Sequence, residues 1–421
     1  MNKNKVRQLW NKLFQNTILN NTRILIQSFA FRLFVQLIYF VILTRTFGPE
    51  RYGLYVGVIA FISIFIPFAS WGSGEILIKN VSRNQSLFGE SWGTAILKTL
   101  IFGSIFILIV LIVFSVSPIS GISIYSIFFL ALANLILMKV SDLARDAFVS
   151  VGMLKYAARV IVILSINRFL ASLAFVVFFE FPTLLIWSIL YCLATLVTTI
   201  ISCILVVKII GYPRFKLPEV TQELRQGFAF SIDVSAQNIY NDLDKSMLAK
   251  MSTAQAAGIY GAAYNILSVA LIPLQSILIA SFRDFFQQGT AGIKSSFNLC
   301  KKLLPLATGY SLLAIAGIFI FAPLLPKLIG ANYSDSVVAL MWLSPVIFFS
   351  TVRSFAASTL TGANYQSTRS VMQVAIAILN GILNFWLIPL YQWHGAIWAT
   401  LISEVLLMLS LWICVYMYSR S

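Results

Sequence analysis

Long apolar runs recur along the chain, separated by short clusters of turn residues and charges. They fall at about 24–44, 53–78, 93–116, 122–143, 155–179, 184–210, 226–249, 258–283, 303–326, 334–361, 370–390 and 395–418. A helix needs about 20 apolar residues to cross the hydrocarbon of a bilayer. The breaks FGPERYG, SPISG, FEFPT, GYPRFKLPE, QQGTAG and LIGANYSD are rich in glycine, proline and other turn formers. The pattern therefore predicts an all-α integral membrane protein of about twelve transmembrane helices. Composition agrees: 59% of the 421 residues are hydrophobic and 10% are charged, with a mean hydropathy of +0.89. A soluble domain carries about 25% charged residues, so this chain has too little polar surface to face water. The loops left over are too short for a soluble domain.

Ahead of the first run, Val6, Leu9, Trp10, Leu13, Phe14 and Ile18 recur at helical spacing, with Lys3, Lys5, Arg7 and Lys12 between them. Residues 1–23 read as an amphipathic helix on the cytoplasmic lipid surface. No small-residue cleavage site marks them as a signal peptide. Placing the N-terminus inside leaves twenty Lys and Arg in cytoplasmic segments and four outside: Arg45, Arg51, Lys250 and Lys327. That asymmetry fits the positive-inside rule and puts both termini in the cytoplasm. The net charge of +16 is thus spread singly between apolar runs. Nucleic-acid binding, which concentrates basic residues on one soluble face, is not expected.

Other chemistry is sparse. Cys192, Cys203, Cys300 and Cys414 form no CxxC pair, and His394 is the single histidine, so neither a metal site nor a cofactor is expected. No GxxxxGK[ST] motif is present to hold a nucleotide.

The chain repeats itself weakly. Gly53-Leu54-Tyr55 resembles Gly258-Ile259-Tyr260 at an offset of 205, and Gly152 through Arg159 resembles Gly362 through Arg369 at an offset of 210. An offset of six spans implies two pseudo-symmetric six-helix lobes. The expected division is a cytoplasmic segment 1–23, an N-lobe 24–210, a linker 211–225 and a C-lobe 226–421. Two such lobes around a central cleft are an alternating-access architecture for a bulky polar or anionic substrate.

Six cations fall within the runs or at their ends: Arg32, Lys98, Lys139, Arg168, Lys245 and Arg353. A charge at a helix centre costs roughly 2.5–3.5 kcal/mol on insertion scales and so usually faces a bundle interior or a wet cavity. Lys98, Lys139 and Lys245 lie near run ends, where a lysine can also snorkel to the headgroups. Ser28, Arg32, Gln36 and Tyr39 form one polar stripe, and Asp233, Gln237, Tyr240, Asn241 and Asp244 form another. Ser350, Arg353, Ser354, Ser358 and Thr361 make a third polar face. Asn380 and Asn384 sit one turn apart, a spacing more typical of helix packing than of ligand binding.

Three motifs carry a family resemblance. They are Leu43-Thr44-Arg45-Thr46-Phe47-Gly48-Pro49-Glu50-Arg51-Tyr52-Gly53-Leu54-Tyr55, then Gly72-Ser73-Gly74-Glu75 with Lys79-Asn80-Val81-Ser82-Arg83, then Asp244-Lys245-Ser246-Met247-Leu248 with Gly258-Ile259-Tyr260 and Ala263-Tyr264. The chain resembles the polysaccharide flippase branch of the multidrug/oligosaccharidyl-lipid/polysaccharide exporter superfamily. The resemblance implies a carrier in the bacterial inner membrane. It would flip undecaprenyl-diphosphate-linked oligosaccharide repeat units outward for O-antigen, capsule or exopolysaccharide synthesis. A polysaccharide polymerase and a chain-length regulator are the partners it implies.

A diphosphate calls for guanidinium groups, whose planar fork binds phosphate oxygens bidentately. Arg32 and then Arg353 are the leading candidates. Gln36, Tyr39, Arg168, Gln237, Tyr240 and Asn241 are expected beside them, with Asp233, Asp244 and Lys245 as candidates for ion coupling. The same acids also fit a structural role, neutralising Arg32 or Lys245. A multidrug/cation antiporter of the same superfamily would have little use for Arg32 and Arg353 in its cleft. A membrane polysaccharide polymerase or glycosyltransferase would need a long outside loop, whereas the outside here offers only Glu50, Glu180 and Asp335 as candidate acids.

Overall fold

The computed structural model describes residues 3–215 and 222–420, with side chains from Phe31 onward except at 222–226, 229–230, 232–234, 236–237, 279–280 and 282–283. Among these residues every regular element is helical. The order is α1 (Lys3–Ser70), α2 (Ser73–Arg83), α3 (Phe88–Val116), α4 (Ile124–Ala131), α5 (Met138–Ser150), α6 (Leu154–Val177), α7 (Leu184–Ile209), α8 (Gln222–Met251), α9 (Ala254–Gly289), α10 (Ile293–Phe321), α11 (Leu325–Ile329), α12 (Ser334–Leu343), α13 (Pro345–Gly362) and α14 (Gln366–Arg420). The amphipathic N-terminal pattern and the later part of the linker lie outside the residues whose side chains are described.

Nine helical stretches among the described residues are long and apolar enough to cross a membrane. Two exceed a single crossing, Phe31–Arg83 at 53 residues and Gln366–Arg420 at 55. Each holds a break where the apolar pattern predicts a turn. In α1 only Gly48 leaves the helical region (φ 66°, ψ 175°). Glycine reaches positive φ without a Cβ penalty, and Pro49 behind it is preorganised to start the next helical turn. In α14 the break is Gln392 (φ 52°, ψ −132°). The expected loops are thus compressed to one non-helical residue apiece.

The chain forms two compact units, one of residues 1–43 and 65–232 and the other of residues 44–64 and 233–421. In the first, Leu77, Phe88, Trp92, Phe148 and Val206 are buried together from α2, α3, α5 and α7. A π-helical turn, Leu132–Leu137, joins α4 to α5. In the second, Ala356, Leu360, Leu407, Leu411 and Val415 pack α13 against α14.

Both units place small and hydroxylated residues inside and large apolar ones outside. Thr195, Thr198 and Ser202 are fully buried, while Ile112, Leu313 and Phe385 are at least 60% exposed. Lipid is as apolar as leucine and gives helices no hydrophobic reason to associate, so small residues and interhelical hydrogen bonds hold the bundle. Buried hydroxyls return their protons to the preceding turn, as Thr195 does to the Tyr191 carbonyl at 2.8 Å. Asn380 and Asn384 act the same way inside α14. Asn384 donates to Asn380 at 2.9 Å, and Asn380 donates to Ser403 at 3.1 Å across the Gln392 break.

Candidate functional site

In the first unit, the polar stripe of α1 meets α6. Arg32, Gln36 and Tyr39 line one small cavity with Leu164, Ser165 and Arg168. Its volume is about 20 Å³, room for a single water. Two guanidiniums share it, and no carboxylate is among its described lining residues. No ion pair involving Arg32 is found among the described residues.

Arg168 is fixed from behind. Its Nη2 donates to the Tyr191 hydroxyl at 2.7 Å and contacts Met138 Sδ at 3.3 Å. Its guanidinium carbon lies 4.6 Å from the Tyr191 ring centroid. The Tyr191 hydroxyl in turn donates to Asn134 Oδ1 at 3.0 Å. Asn134 sits within the π-helical turn and donates to the Leu130 carbonyl at 2.8 Å. A π-turn shifts the register of a helix and so re-aims a side chain. Here it points Asn134 at the tyrosine that holds Arg168.

In the second unit a cavity of about 610 Å³ opens between α8, α9, α13 and α14. Its wall carries Arg353 and Glu404, joined at 2.9 Å from Nε to Oε2. Arg353 also donates to Ser350 Oγ at 3.1 Å and stands 5.9 Å from the Tyr240 ring centroid. Asn241 lines the cavity, while Tyr240 is buried in the helix packing behind it. Asp242 lines it as well and accepts from Lys245 Nζ at 2.5 Å. Lys245 further donates to the Asn241 carbonyl at 2.7 Å and lies 3.9 Å from the Tyr264 ring centroid.

Asp244 does not reach this cavity. It is 3% exposed and accepts from the Tyr260 hydroxyl and from the Lys245 backbone N–H, the latter at 2.7 Å. Tyr260 also meets Thr400 Oγ1 at 3.1 Å. The side chains of Asp233 and Gln237 lie outside the described residues.

The lysines at run ends are held within the protein. Lys98 is 3% exposed, so it does not snorkel to the headgroups. Lys139 lies 3.9 Å from Asp142, which pairs with Arg145 at 3.0 Å. The structure thus brings Arg32, Gln36, Tyr39 and Arg168 together, and separately Asn241 and Arg353.

The sequence reading missed Glu404, Asp242, Asn134 and Tyr191. Glu404 carries a legible signal, being the single acid in the run 395–418. Asp242 falls off the helical spacing of the stripe chosen on α8.

Comparison with known proteins places this arrangement. The family model described as "Polysaccharide biosynthesis protein" matches residues 18–282. A relative from Escherichia coli strain K12, described as "Putative O-antigen transporter", is 24% identical over 385 residues, covering 88% of this chain and 90% of its own length. An inward-facing multidrug resistance MATE transporter of the MOP superfamily superposes with a TM-score of 0.76 at 12% identity, over 93% of this chain and 96% of that one. The lipid II flippase MurJ in an inward closed conformation gives 0.75 at 12% identity, over 93% and 87%. The chain belongs to the polysaccharide biosynthesis protein family and is a multi-pass membrane protein with the fold of the multidrug/oligosaccharidyl-lipid/polysaccharide superfamily.

Proposed function

We propose that the chain is a flippase moving undecaprenyl-diphosphate-linked oligosaccharide repeat units from the inner to the outer leaflet of the bacterial inner membrane. The observation that carries this reading is the pair Arg32 and Arg168 lining one cavity with no acid among its described lining residues. Two guanidiniums on one cavity suit a diphosphate, whose oxygens serve both forks, and the headgroup would enter as this cavity of about 20 Å³ widens during transport. A carrier of cationic drugs would gain nothing from that pairing.

Twelve spans and cytoplasmic termini belong to the same proposal. The two breaks turn nine apolar stretches into eleven, and the polar helix α8 supplies a twelfth. The lobes would then run 24–210 and 226–421, joined by 211–225, with alternating access between them. A polymerase and a chain-length regulator would receive the flipped units.

The membrane potential supplies drive. A charge moving through it gains about 2.3 kcal/mol per 100 mV, so a doubly charged headgroup leaving a negative cytoplasm gains about 4–5 kcal/mol. Asp244, buried beside Tyr260 and Thr400, is the described candidate for binding a coupling ion, with Asp233 the other.

Flipping by the purified protein in vesicles tests the proposal, with a short-chain prenyl-diphosphate oligosaccharide as probe. Arg32→Ala and Arg168→Ala should each reduce flipping to background, with Arg32→Lys intermediate. Asp244→Asn should remove any dependence on a proton or sodium gradient. Undiminished flipping by both alanine variants would overturn the headgroup assignment.

A further inference from the structure

The cavity of the second unit is chemically unlike that of the first. Its volume of about 610 Å³ falls within the ~300–1,000 Å³ of sites for small organic ligands. Its wall presents Asn241, Ser268, Gln275, Ser354, Ser358 and Gln373, a set of amides and hydroxyls. Each can both donate and accept, as a sugar hydroxyl does. Among its described lining residues the charges cancel, since Arg353 and Arg369 stand against Asp242 and Glu404. The next pair in the chain, Asp244 and Lys245, again contributes one charge of each sign.

Glu404 decides what this cavity accepts. It is buried to 4% exposure and occupies the Nε edge of Arg353, so the guanidinium that would otherwise take an anion already holds one. A carboxylate arriving on the cargo is repelled by Glu404 and by Asp242, both of which line the cavity. An uncharged sugar meets no such opposition, and can share hydrogen bonds with the pair's free edges. Selectivity here rests on a repulsive group as much as on attractive ones.

We infer that this cavity is the sugar subsite and that the Arg353–Glu404 pair selects repeat units of neutral sugars over those carrying uronic acids. The inference rests on the flippase reading above and names the sugar class that reading leaves open.

The test measures binding of two probes to the full-length protein in nanodiscs. Both are short-chain prenyl-diphosphate trisaccharides, one of neutral hexoses and one ending in glucuronic acid. The wild type should hold the neutral probe at least about tenfold more tightly. Glu404→Gln should erase or reverse that preference by releasing Arg353. Equal affinity of the wild type for both probes, or an unchanged ratio in Glu404→Gln, would overturn the inference. Equal weakening of both probes in Arg32→Ala, with the ratio preserved, supports the diphosphate seat separately. Binding of both that ignores Arg32 and Arg168 defeats the diphosphate seat and leaves the sugar ratio to be judged on its own. If the wild type binds neither probe, both readings fall.

Discussion

Gly53 and Gly258, 205 positions apart in the chain, pack backbone against backbone. A Cβ on Gly53 would lie 1.7 Å from the Ala254 carbonyl oxygen and 2.6 Å from the Gly258 nitrogen. One on Gly258 would lie 1.8 Å from the Pro49 carbonyl oxygen. The repeated Gly-x-Tyr motif is therefore a reciprocal joint, in which each copy makes room for the helix bearing the other. Tyr52, beside the first copy, accepts a hydrogen bond from Asn265 at 2.6 Å. Small residues let membrane helices approach this closely.

Gly53→Ala and Gly258→Ala must each push a helix aside, because the obstructing atoms are backbone and cannot rotate away. Overpacking of this kind costs about 1–3 kcal/mol. Both variants should lower the Tm of the detergent-solubilised protein, while Gly309→Ala, where nothing lies within 4 Å, should leave it unchanged. An unchanged Tm in both joint variants would refute the reciprocal packing.

Arg353→Ala should destabilise the protein more than it would if the arginine were merely a lipid-facing charge. It strands Glu404, whose side chain is 5% exposed. Breaking a buried pair from one side costs about 3–5 kcal/mol, whereas replacing both partners is often neutral. The double variant Arg353→Ala with Glu404→Ala should therefore recover Tm lost by the single one. If the double variant is less stable than either single variant, the two residues are not a coupled pair.

Asn380→Leu should also unsettle α14. It leaves Asn384 and Ser403 without the partner they meet at 2.9 and 3.1 Å, and a buried polar group so orphaned costs about 1–3 kcal/mol. Hydrogen exchange of the amides from 370 to 415 should accelerate in this variant. Protection equal to the wild type would assign the asparagines a role other than packing.

Much of the fold was legible in the chain because lipid imposes a one-dimensional rule. Backbone groups in hydrocarbon must bond within their own segment, so each apolar run of sufficient length reads as a helix without knowledge of its neighbours. Six of the helices carry that legibility most plainly: α3, α6, α7, α9, α10 and α14 lie over the apolar runs assigned to them. Arg32, Gln36 and Tyr39 were also legible, since helical spacing places them on one face.

What the chain could not show is which face meets which. Asp242 and Asp244 are two residues apart, yet the first lines a cavity and the second lies buried against Tyr260; only the packing of α8, α9 and α14 separates them. Arg353 and Glu404 lie 51 positions apart, and no periodicity connects residues on different helices. Helical order follows from local hydrogen bonding and hydropathy, and so is written along the sequence. Charge pairing depends on distances of a few ångströms between distant segments, and tertiary packing alone sets those.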